Sequence, residues 1–184
     1  MLFRSIVCRD GAPERLLTDL ATHALDLVIA DTPVAPTIKV KVFSHALGET
    51  PVTVFGTAKL AAPRRKNFPR SLDGAPFLVP TVGKTLRRTL DQYFEQQQIR
   101  PRIVAELDDS ALLTTFGQGG AGLFVAPTVL EKEVMRQFGV TVVGRLEAVR
   151  ERYFAISVER RLKHPAVVAI SEAANEMLDA IRKK

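Results

Sequence analysis

The chain has 184 residues, of which 46% are hydrophobic and 25% are charged, and these proportions are typical of a globular protein with a substantial core. No apolar run approaches the roughly 20 residues of a membrane-spanning helix, and Arg9 and Asp10 interrupt the first apolar stretch too early for a signal peptide. A single cysteine, Cys8, excludes an internal disulfide. We therefore expect a cytoplasmic protein without a membrane segment.

The formal net charge is +6 and the isoelectric point is about 9.8, which suits contact with anionic ligands or polyanions. The cationic residues are scattered, and their densest cluster is Arg64-Arg65-Lys66, between Pro63 and Pro69. No helix-turn-helix, zinc-finger or aromatic RNA-binding pattern is present in the sequence. The composition therefore favours a solvated basic loop at this cluster over a phosphate-binding site.

Hydrophobic periodicity predicts alternating helices and strands in the first half of the chain. Pro at the first helical position and an apolar face predict a helix over residues 13–25. Apolar or alternating runs predict strands over residues 25–30, 38–43, 52–55, 76–80 and 102–107, and a helix over 85–98. The proline- and arginine-rich residues 63–74 are predicted to cross between two lobes.

A G-x-G-x-x-G pattern, Gly117-Gln118-Gly119-Gly120-Ala121-Gly122, matches the dinucleotide-binding loop by its letters alone. In a dinucleotide-binding unit these glycines follow a strand and open a helix. Here a short helix over residues 109–116 precedes them, and an apolar strand over 123–126 follows. The order is reversed, so the glycines are predicted to end a helix and to allow close packing of that helix on the strand.

The second half continues the alternation, which predicts an α/β fold. Thr128-x-x-Glu131 has the spacing of a capping box, and it is predicted to open a helix that Gly139 ends. Strands are predicted over residues 140–146 and 153–158. The last helix is predicted to start at His164-Pro165.

Motifs for enzymatic chemistry are lacking. The sequence contains no phosphate-binding P-loop, no G-x-S-x-G, no H-E-x-x-H and no C-x-x-C, and its three histidines lack metal-ligand spacing. The acidic pair Asp108-Asp109 could hold a cation, but a helix cap with a first-turn acid is the favoured interpretation. We therefore predict no enzyme, no cofactor and no metal site.

Two turns are candidate ligand positions, because the free backbone N–H groups of a helix start favour anions and polar groups. The first turn is Asp10-Gly11-Ala12-Pro13, and the second runs from Thr81 to Thr85. Ordinary capped turns would have the same sequences, so the residues alone leave both interpretations open.

Four segments in order resemble the effector-binding domain of LysR-type transcriptional regulators. They are residues 25–30 followed by Pro33, residues 77–90, residues 117–127, and residues 158–161 with Pro165-Ala166. Residues 99–112 and 159–167 are similar more particularly to members that activate sodium/proton antiporter genes. The likeness covers nearly the whole chain.

The resemblance implies the fold of type 2 periplasmic binding proteins, with two α/β lobes joined by crossing strands. Lobe I would comprise residues 1–64 and 157–184, and lobe II residues 65–156. A small effector or a monovalent cation would bind in the cleft between the lobes. Carried over, the effector contacts are Ala12, Pro13, Asp31, Thr32, Thr81, Val82, Gly83, Lys84, Leu107, Asp108, Asp109 and Ser110.

The resemblance also implies a bacterial transcriptional activator that forms a homodimer or tetramer, pairing the helix after Pro13 with the helix after Thr85 of a neighbour. Its signal would be sodium or lithium, with Asp31, Asp108 and Asp109 as candidate cation contacts. The helix-turn-helix DNA-binding domain is expected to be missing, and the chain to begin near the family's second strand at residues 4–8. A solute-binding protein of the same fold is the main alternative, and an enzyme on this fold is the third.

Overall fold

A computed structural model describes residues 6–34, 41–160 and 165–182, without the side chains of residues 166 and 179–182. The helices are α1 (Pro13–Ala21), α2 (Ala58–Ala61), α3 (Thr85–Gln96), α4 (Ser110–Gln118), α5 (Glu131–Phe138) and α6 (Pro165–Arg182). The strands are β1 (Val28–Ala30), β2 (Phe43–Gly56), β3 (Pro76–Pro80), β4 (Arg102–Leu107), β5 (Phe124–Pro127) and β6 (Thr141–Ser157). The mixed α/β class predicted from the sequence is confirmed. Across the described residues, no helix combines the length and hydropathy that a bilayer crossing requires.

The chain forms two compact units, which divide after Glu49 and after Glu151. Unit 1 contains the residues before Thr50 and from Arg152 onwards, and unit 2 contains the residues between them. The long strands β2 and β6 are neighbours in one sheet of order β1-β6-β2-β5, and each runs from one unit into the other. The boundaries near residues 64 and 156 that the sequence predicts therefore differ from those observed.

Residues 63–74 do not cross between the units, contrary to the prediction. They lie within unit 2 and form two short 3₁₀ helices, Ala62–Arg64 and Arg70–Leu72. Ala61 and Leu72 are fully buried in the core of unit 2, which holds both ends of this segment against that unit. The two crossings are made by β2 and β6, and the residues of β2 from Thr50 onwards are buried in unit 2.

Unit 1 is built around α1, β1 and the end of β6. Leu17 and Leu20 form the buried face of α1, and they pack with Val28 and Ile156. β1 pairs antiparallel with β6, with Val28 opposite Ile156. Helix α1 ends four residues earlier than predicted, where His23 adopts a left-handed backbone conformation with φ 60°. The predicted strand over 25–30 is correspondingly reduced to Val28–Ala30.

Three sequence predictions fall partly outside the described residues. Of the strand predicted over residues 38–43, positions 38–40 are outside, and β2 begins at Phe43. Of the strand expected at residues 4–8, positions 4 and 5 are outside, and residues 6–8 form no strand. His164 is outside as well, and α6 begins at Pro165.

The centre of unit 2 is β3, whose bounds match the prediction, as do those of β4. The two strands are parallel, with Phe77 opposite Ile103 and Pro80 opposite Leu107. Leu123 extends the pairing on the other side of β3, because its N–H donates to the carbonyl of Pro76 and its carbonyl accepts from the N–H of Leu78. The apolar run of β3 is thus buried on both faces, as expected of a parallel strand.

The two faces of β3 belong to different core clusters, and each cluster holds a different helix. Phe77 packs with Leu90 and Phe94 of α3, and the rings of Phe77 and Phe94 meet edge to face with centroids 5.5 Å apart. Leu78, on the opposite face, packs with Leu113 of α4. Helices α3 and α4 therefore cover opposite faces of the β3–β4 pair.

The glycines between α4 and β5 serve as a helix-to-strand turn, as predicted. Gly117 is in the last turn of α4, where a Cβ would overlap the ring of Phe124. Gly120 follows the C-cap and has φ +79°, which a glycine adopts without strain. At Gly122 a Cβ would lie 3.1 Å from Val104 and 3.2 Å from Leu78. The G-x-G-x-x-G spacing therefore reflects positions where the backbone packs closely on neighbouring side chains.

Two predictions for the second half of the chain are wrong, the capping box and the separation of two strands. Thr128 and Glu131 do not form a capping box, because α5 begins after a 3₁₀ turn with Leu130 as N-cap and no side-chain cap. Their side chains meet on Thr53 instead, which bonds the Thr128 hydroxyl at 2.9 Å and donates to Glu131 at 3.0 Å. The strands predicted over 140–146 and 153–158 are one continuous strand, β6. Gly139 ends α5 with φ 61°, as expected.

Gly117→Ala should destabilise unit 2 by about 1–3 kcal/mol, because the new methyl group overlaps the buried Phe124 ring. Gly119→Ala is the matched control, since Gly119 has a helical φ of −68° and its Cβ would approach only backbone carbonyls at 3.4 Å or more. Urea denaturation of both variants measures the difference. Equal midpoints for the two variants would contradict the close packing of α4 on β5.

Glu131→Gln should lower the free energy of unfolding at neutral pH by about 1 kcal/mol. It should also make the free energy of unfolding less dependent on pH in the acid range. The Arg145 guanidinium bonds both carboxylate oxygens at 2.9 and 3.0 Å and holds the pKa of Glu131 below its ordinary value of 4.5. A lowered folded-state pKa stabilises the protein fully above that ordinary value, and the contribution is lost as pH falls through the folded-state pKa. Urea midpoints at pH 7 and about pH 3.5 measure this.

The control for Glu131 is Glu133→Gln, an exposed position on the same helix. The two variants should differ clearly at pH 7, and the difference should become smaller as the pH falls below 4.5. A difference that stays constant across this range would contradict the ion pair as its source.

Candidate functional site

The second candidate turn and the acidic pair lie together at one edge of the β3–β4 pair. Thr81 to Lys84 connect β3 to α3, and Asp108 and Asp109 connect β4 to α4. Because the strands are parallel, both connections leave from their carboxyl ends. The two helices then pass to opposite faces, as shown by the two core clusters. In α/β proteins, ligands commonly bind beside the carboxyl ends of strands whose helices diverge in this way.

A three-residue contact joins the two turns. The Lys84 ammonium lies 3.0 Å from Asp108 Oδ1, and the Thr81 hydroxyl donates to the same oxygen at 2.9 Å. The Thr81 N–H donates to the carbonyl of Leu107 at 3.2 Å, which aligns the two turns. We call Thr81, Lys84 and Asp108 the edge triad. The residues predicted from this half of the sequence are therefore brought together.

The edge triad is accessible to solvent and charged. The side chains of Lys84 and Asp108 are 50% and 76% exposed. Hydrogen bonds from Lys84 and then Thr81, together with the charge of Lys84, lower the pKa of Asp108 below its ordinary value of 3.8. Asp108 therefore stays ionised near neutral pH, and the ion pair is open to exchange with a solute.

The two helices differ in how their first turns are satisfied. Asp109 is the N-cap of α4 and accepts from the N–H of Ala111 at 2.6 Å, so the second residue of the acidic pair caps the helix and the first turn of α4 holds no acid. Lys84 is the N-cap of α3, with an extended backbone and no side-chain cap. The start of α3 is thus a positive helix end whose backbone donors are not capped by its own side chain. Beside it, Gly83 has open space around it and Val82 is 77% exposed.

Arg87 supports this edge, and sequence patterns did not single it out. Its Nη1 donates to the carbonyl of Pro80 at 3.0 Å and lies 3.1 Å from Glu106 of β4. Its Nε pairs with Asp91 one turn later on α3. The side chain is only 13% exposed and links α3 to the ends of β3 and β4. The i, i+4 spacing of Arg87 and Asp91 was the available signal, but the link to Pro80 depends on tertiary packing.

The remaining predicted contacts lie in unit 1. Ala12 is the N-cap of α1, and its carbonyl accepts from the N–H groups of Arg15 and Leu16, both at 3.1 Å. Pro13 is the first residue of that helix, which has no side-chain cap. Asp31 and Thr32 directly follow β1 and are exposed. The predicted strand before Asp10 is not found over residues 6–10.

The candidate cation contacts do not form a metal centre within the part of the chain that the structure describes, where no cluster of three or more His, Cys, Asp or Glu has that arrangement. In unit 2, Asp108 is paired with an ammonium group, and Asp109 is held in a helix cap. Asp31 belongs to unit 1. A cation that binds at Asp108 would have to compete with Lys84.

Comparison with known proteins identifies the family of the chain. Residues 5–179 match the family described as the LysR substrate binding domain. Two similar curated relatives are the transcriptional activator protein NhaR of Escherichia coli K12 and that of Shigella flexneri, each 36% identical over 163 residues. These alignments cover 89% of this chain and 53% of each relative, so the chain spans about half the length of the curated relatives it matches.

Solved structures share the fold at low sequence identity. HinK, a LysR family transcriptional regulator from Pseudomonas aeruginosa, has a TM-score of 0.67 at 17% identity, covering 92% of this chain and 58% of its own. The regulatory domain of OxyR2 from Vibrio vulnificus in its reduced form has a TM-score of 0.62 at 16% identity, covering 92% and 80%. The effector binding domain of QuiR in complex with shikimate has a TM-score of 0.58 at 16% identity, covering 92% and 79%.

The family match extends over residues 5–179, and the NhaR proteins are 36% identical to this chain over 163 residues. The chain therefore belongs to the LysR substrate-binding domain family, the effector-binding domains of LysR-type transcriptional regulators.

Proposed function

We propose that this chain senses a small effector for a LysR-type transcriptional activator in the bacterial cytoplasm, and that the effector binds at the edge triad. The observation that carries the proposal is the contact of Lys84 and Thr81 with Asp108 at the carboxyl ends of parallel strands. The 36% identity to NhaR supports the activator role. The site needs no metal or cofactor to bind a polar molecule.

The edge triad offers donors and acceptors for a small polar effector. Lys84 has N–H groups beyond the one directed at Asp108, and the uncapped start of α3 adds backbone donors. Asp108 has a second oxygen, Oδ2, that the Thr81 and Lys84 contacts do not use. An anionic group would approach Lys84 and the helix start, whereas a hydroxyl or amine would approach Asp108. Arg87 would keep both turns in place as the effector exchanges.

Regulation requires that the effector bind two conformations with different affinity. Breaking and re-forming the exposed Lys84–Asp108 ion pair is a local change that an effector can drive. We propose that the response passes to a DNA-binding domain, as part of a homodimer or tetramer in which α1 and α3 provide the subunit surfaces. The contacts predicted at Ala12, Pro13, Asp31 and Thr32 stay a prediction.

A stabilising effector should be found among small organic acids, hydroxy acids and amines by thermal shift of the purified chain. A compound at 100 times its dissociation constant stabilises by about 2.7 kcal/mol, which corresponds to about 5–10 °C for a chain of this size. Lys84→Ala and Thr81→Val should abolish the shift, because they remove the donors at the edge. Arg88→Ala, which removes an exposed charge from the same helix, should retain it.

Two results would contradict this assignment. A compound whose shift survives both edge variants binds elsewhere, and a shift lost equally in Arg88→Ala reflects net charge alone.

A solute-binding role is distinguished from a regulatory role by its effect on transcription. Deleting the gene should change the expression of its target operon. Complementing the deletion with the Lys84→Ala variant should restore DNA occupancy, but transcription should no longer respond to the compound. Unchanged expression after deletion would favour the solute-binding alternative.

The sodium or lithium response that the NhaR likeness suggests has its own test, because a cation at Asp108 must displace Lys84. If Asp108 binds the cation, Lys84→Gln should increase the thermal shift with sodium or lithium chloride relative to potassium chloride at matched ionic strength. Asp108→Asn should abolish the selectivity. Identical shifts with all three salts, in the parent protein and in Lys84→Gln, would contradict a cation effector at this edge.

A further inference from the structure

The positive charge of the chain is concentrated in one part of unit 2. Two segments, residues 58–75 and 100–102, hold seven of the 26 cationic residues and one of the 20 acidic residues. The rest of the sequence is therefore electrically balanced, and these segments carry the whole net charge of +6. We call them the basic surface. Its cationic residues are Lys59, Arg64, Arg65, Lys66, Arg70, Arg100 and Arg102.

The two segments of the basic surface are joined by backbone hydrogen bonds. The N–H of Gly74 donates to the carbonyl of Arg100 at 3.0 Å, and the N–H of Arg102 donates to the carbonyl of Ala75 at 2.8 Å. Asp73, the single carboxylate, accepts from the N–H of Arg100 at 2.8 Å. These bonds place the end of the first segment, residues 73–75, directly beside residues 100–102.

The backbone of this surface is fixed before any partner binds. Arg64 donates to the carbonyl of Leu60 at 2.9 Å, and Arg65 Nε donates to the carbonyl of Val142 in β6 at 2.9 Å. The hydroxyl of Ser71 donates to the carbonyl of Arg64, which closes the loop. Phe68 packs against Gly144, where a Cβ would lie 2.6 Å from its ring. A partner would therefore meet an ordered loop and lose little backbone entropy on binding.

The basic surface is separate from the edge triad. Gly74, Ala75 and Arg102 stand at the amino ends of β3 and β4, and the edge triad stands at their carboxyl ends. Five residues of β3 separate the two, a distance of about 17 Å. Five of the seven cationic residues are exposed at the loop and at the start of β4, so solvent and counterions screen the repulsion among them: Arg65, Lys66, Arg70, Arg100 and Arg102.

The chemistry of the surface fits a phosphate backbone better than a protein partner. Five of the seven cations are arginines, whose planar fork matches phosphate oxygens. Protein interfaces usually have an apolar, aromatic-rich centre, yet neither segment contains an exposed large hydrophobic side chain, the nearest being Ile103 at 39% exposure. A positive surface without an apolar centre is typical of sequence-independent contact with nucleic acid.

From the concentrated charge, the fixed loop and the missing apolar centre, we infer that the basic surface binds the phosphate backbone of duplex DNA, at a site distinct from the effector edge. Binding releases condensed counterions, so the affinity falls steeply with salt. The contact carries no sequence information of its own. It would hold unit 2 against DNA next to the sites read by other parts of a regulator. It does not depend on the effector proposal.

The test is fluorescence anisotropy of a labelled random duplex of about 30 bp titrated with this chain, since non-specific contacts of this kind bind at about 1–100 μM. Three phosphate contacts predict a loss of about 40-fold in affinity between 50 and 200 mM sodium chloride. Lys59→Glu combined with Lys66→Glu and Arg70→Glu should weaken binding at least tenfold and flatten the salt dependence. These three exposed residues are outside the contacts that fix the loop.

The matched control reverses three exposed cations elsewhere in unit 2, at Arg88, Lys132 and Arg136, and changes net charge equally. It should bind within about twofold to threefold of the parent, as non-contacting charges act only through screened fields. Absence of binding at 50 mM salt, or equal loss in both triple variants, would overturn the inference. Poly-glutamate that competes with DNA at equal charge concentration would also overturn it, because it would show a general site for acidic polymers. Urea midpoints near the parent value verify that the variants fold.

Discussion

The parallel pairing of β3 with β4, buried on both faces, is the constraint on which the rest of unit 2 depends. Phe77 and Leu78 point to opposite faces and belong to different core clusters. Each cluster holds one of the helices that follow these strands, so α3 and α4 must leave the same edge and pass to opposite sides. The turns that contain Lys84 and Asp108 therefore meet at that edge. The ion pair is a consequence of the strand pairing rather than its cause, because its partners are largely exposed.

Much of this arrangement could be predicted from local sequence. The strands β3 and β4 are short apolar runs with polar or proline boundaries, which limit their possible ends to one or two positions. The acidic pair predicts a helix cap at Asp108 or Asp109, because short acidic side chains are preferred before a helical run, and Asp109 is the residue that forms it. The glycines from 117 to 122 were interpreted correctly since their order relative to helix and strand, rather than their spacing, determines what they can do.

The errors arose where distant residues decide the structure. Residues 63–74 have the composition of a linker, yet Phe68 packs on Gly144 and Arg65 bonds Val142, both in β6 far along the sequence. Glu131 has the spacing of a capping box, but Thr53 and Arg145 provide stronger partners from two strands. Local preferences of this kind contribute about 1 kcal/mol each and are readily outweighed by tertiary contacts. The proximity of this segment to Arg100 could not be predicted either, because it depends on backbone hydrogen bonds between distant segments.

The basic surface and the edge triad lie at opposite ends of β3, and this separation limits how a ligand at one could affect the other. At physiological salt, charges interact directly over about 8 Å, and the length of β3 is about twice that. Coulomb forces between a polyanion at the basic surface and an effector at the edge triad would therefore be weak. Communication between them would have to pass through packing, and β3 offers the shortest route, since its residues touch both core clusters. A close-packed strand transmits a shift only if its two clusters have alternative arrangements. The covalent continuity of β3 is therefore not sufficient by itself, and the contacts at its two ends, from Arg87 to the carbonyl of Pro80 and from the N–H of Arg100 to Asp73, hold the strand to its surroundings.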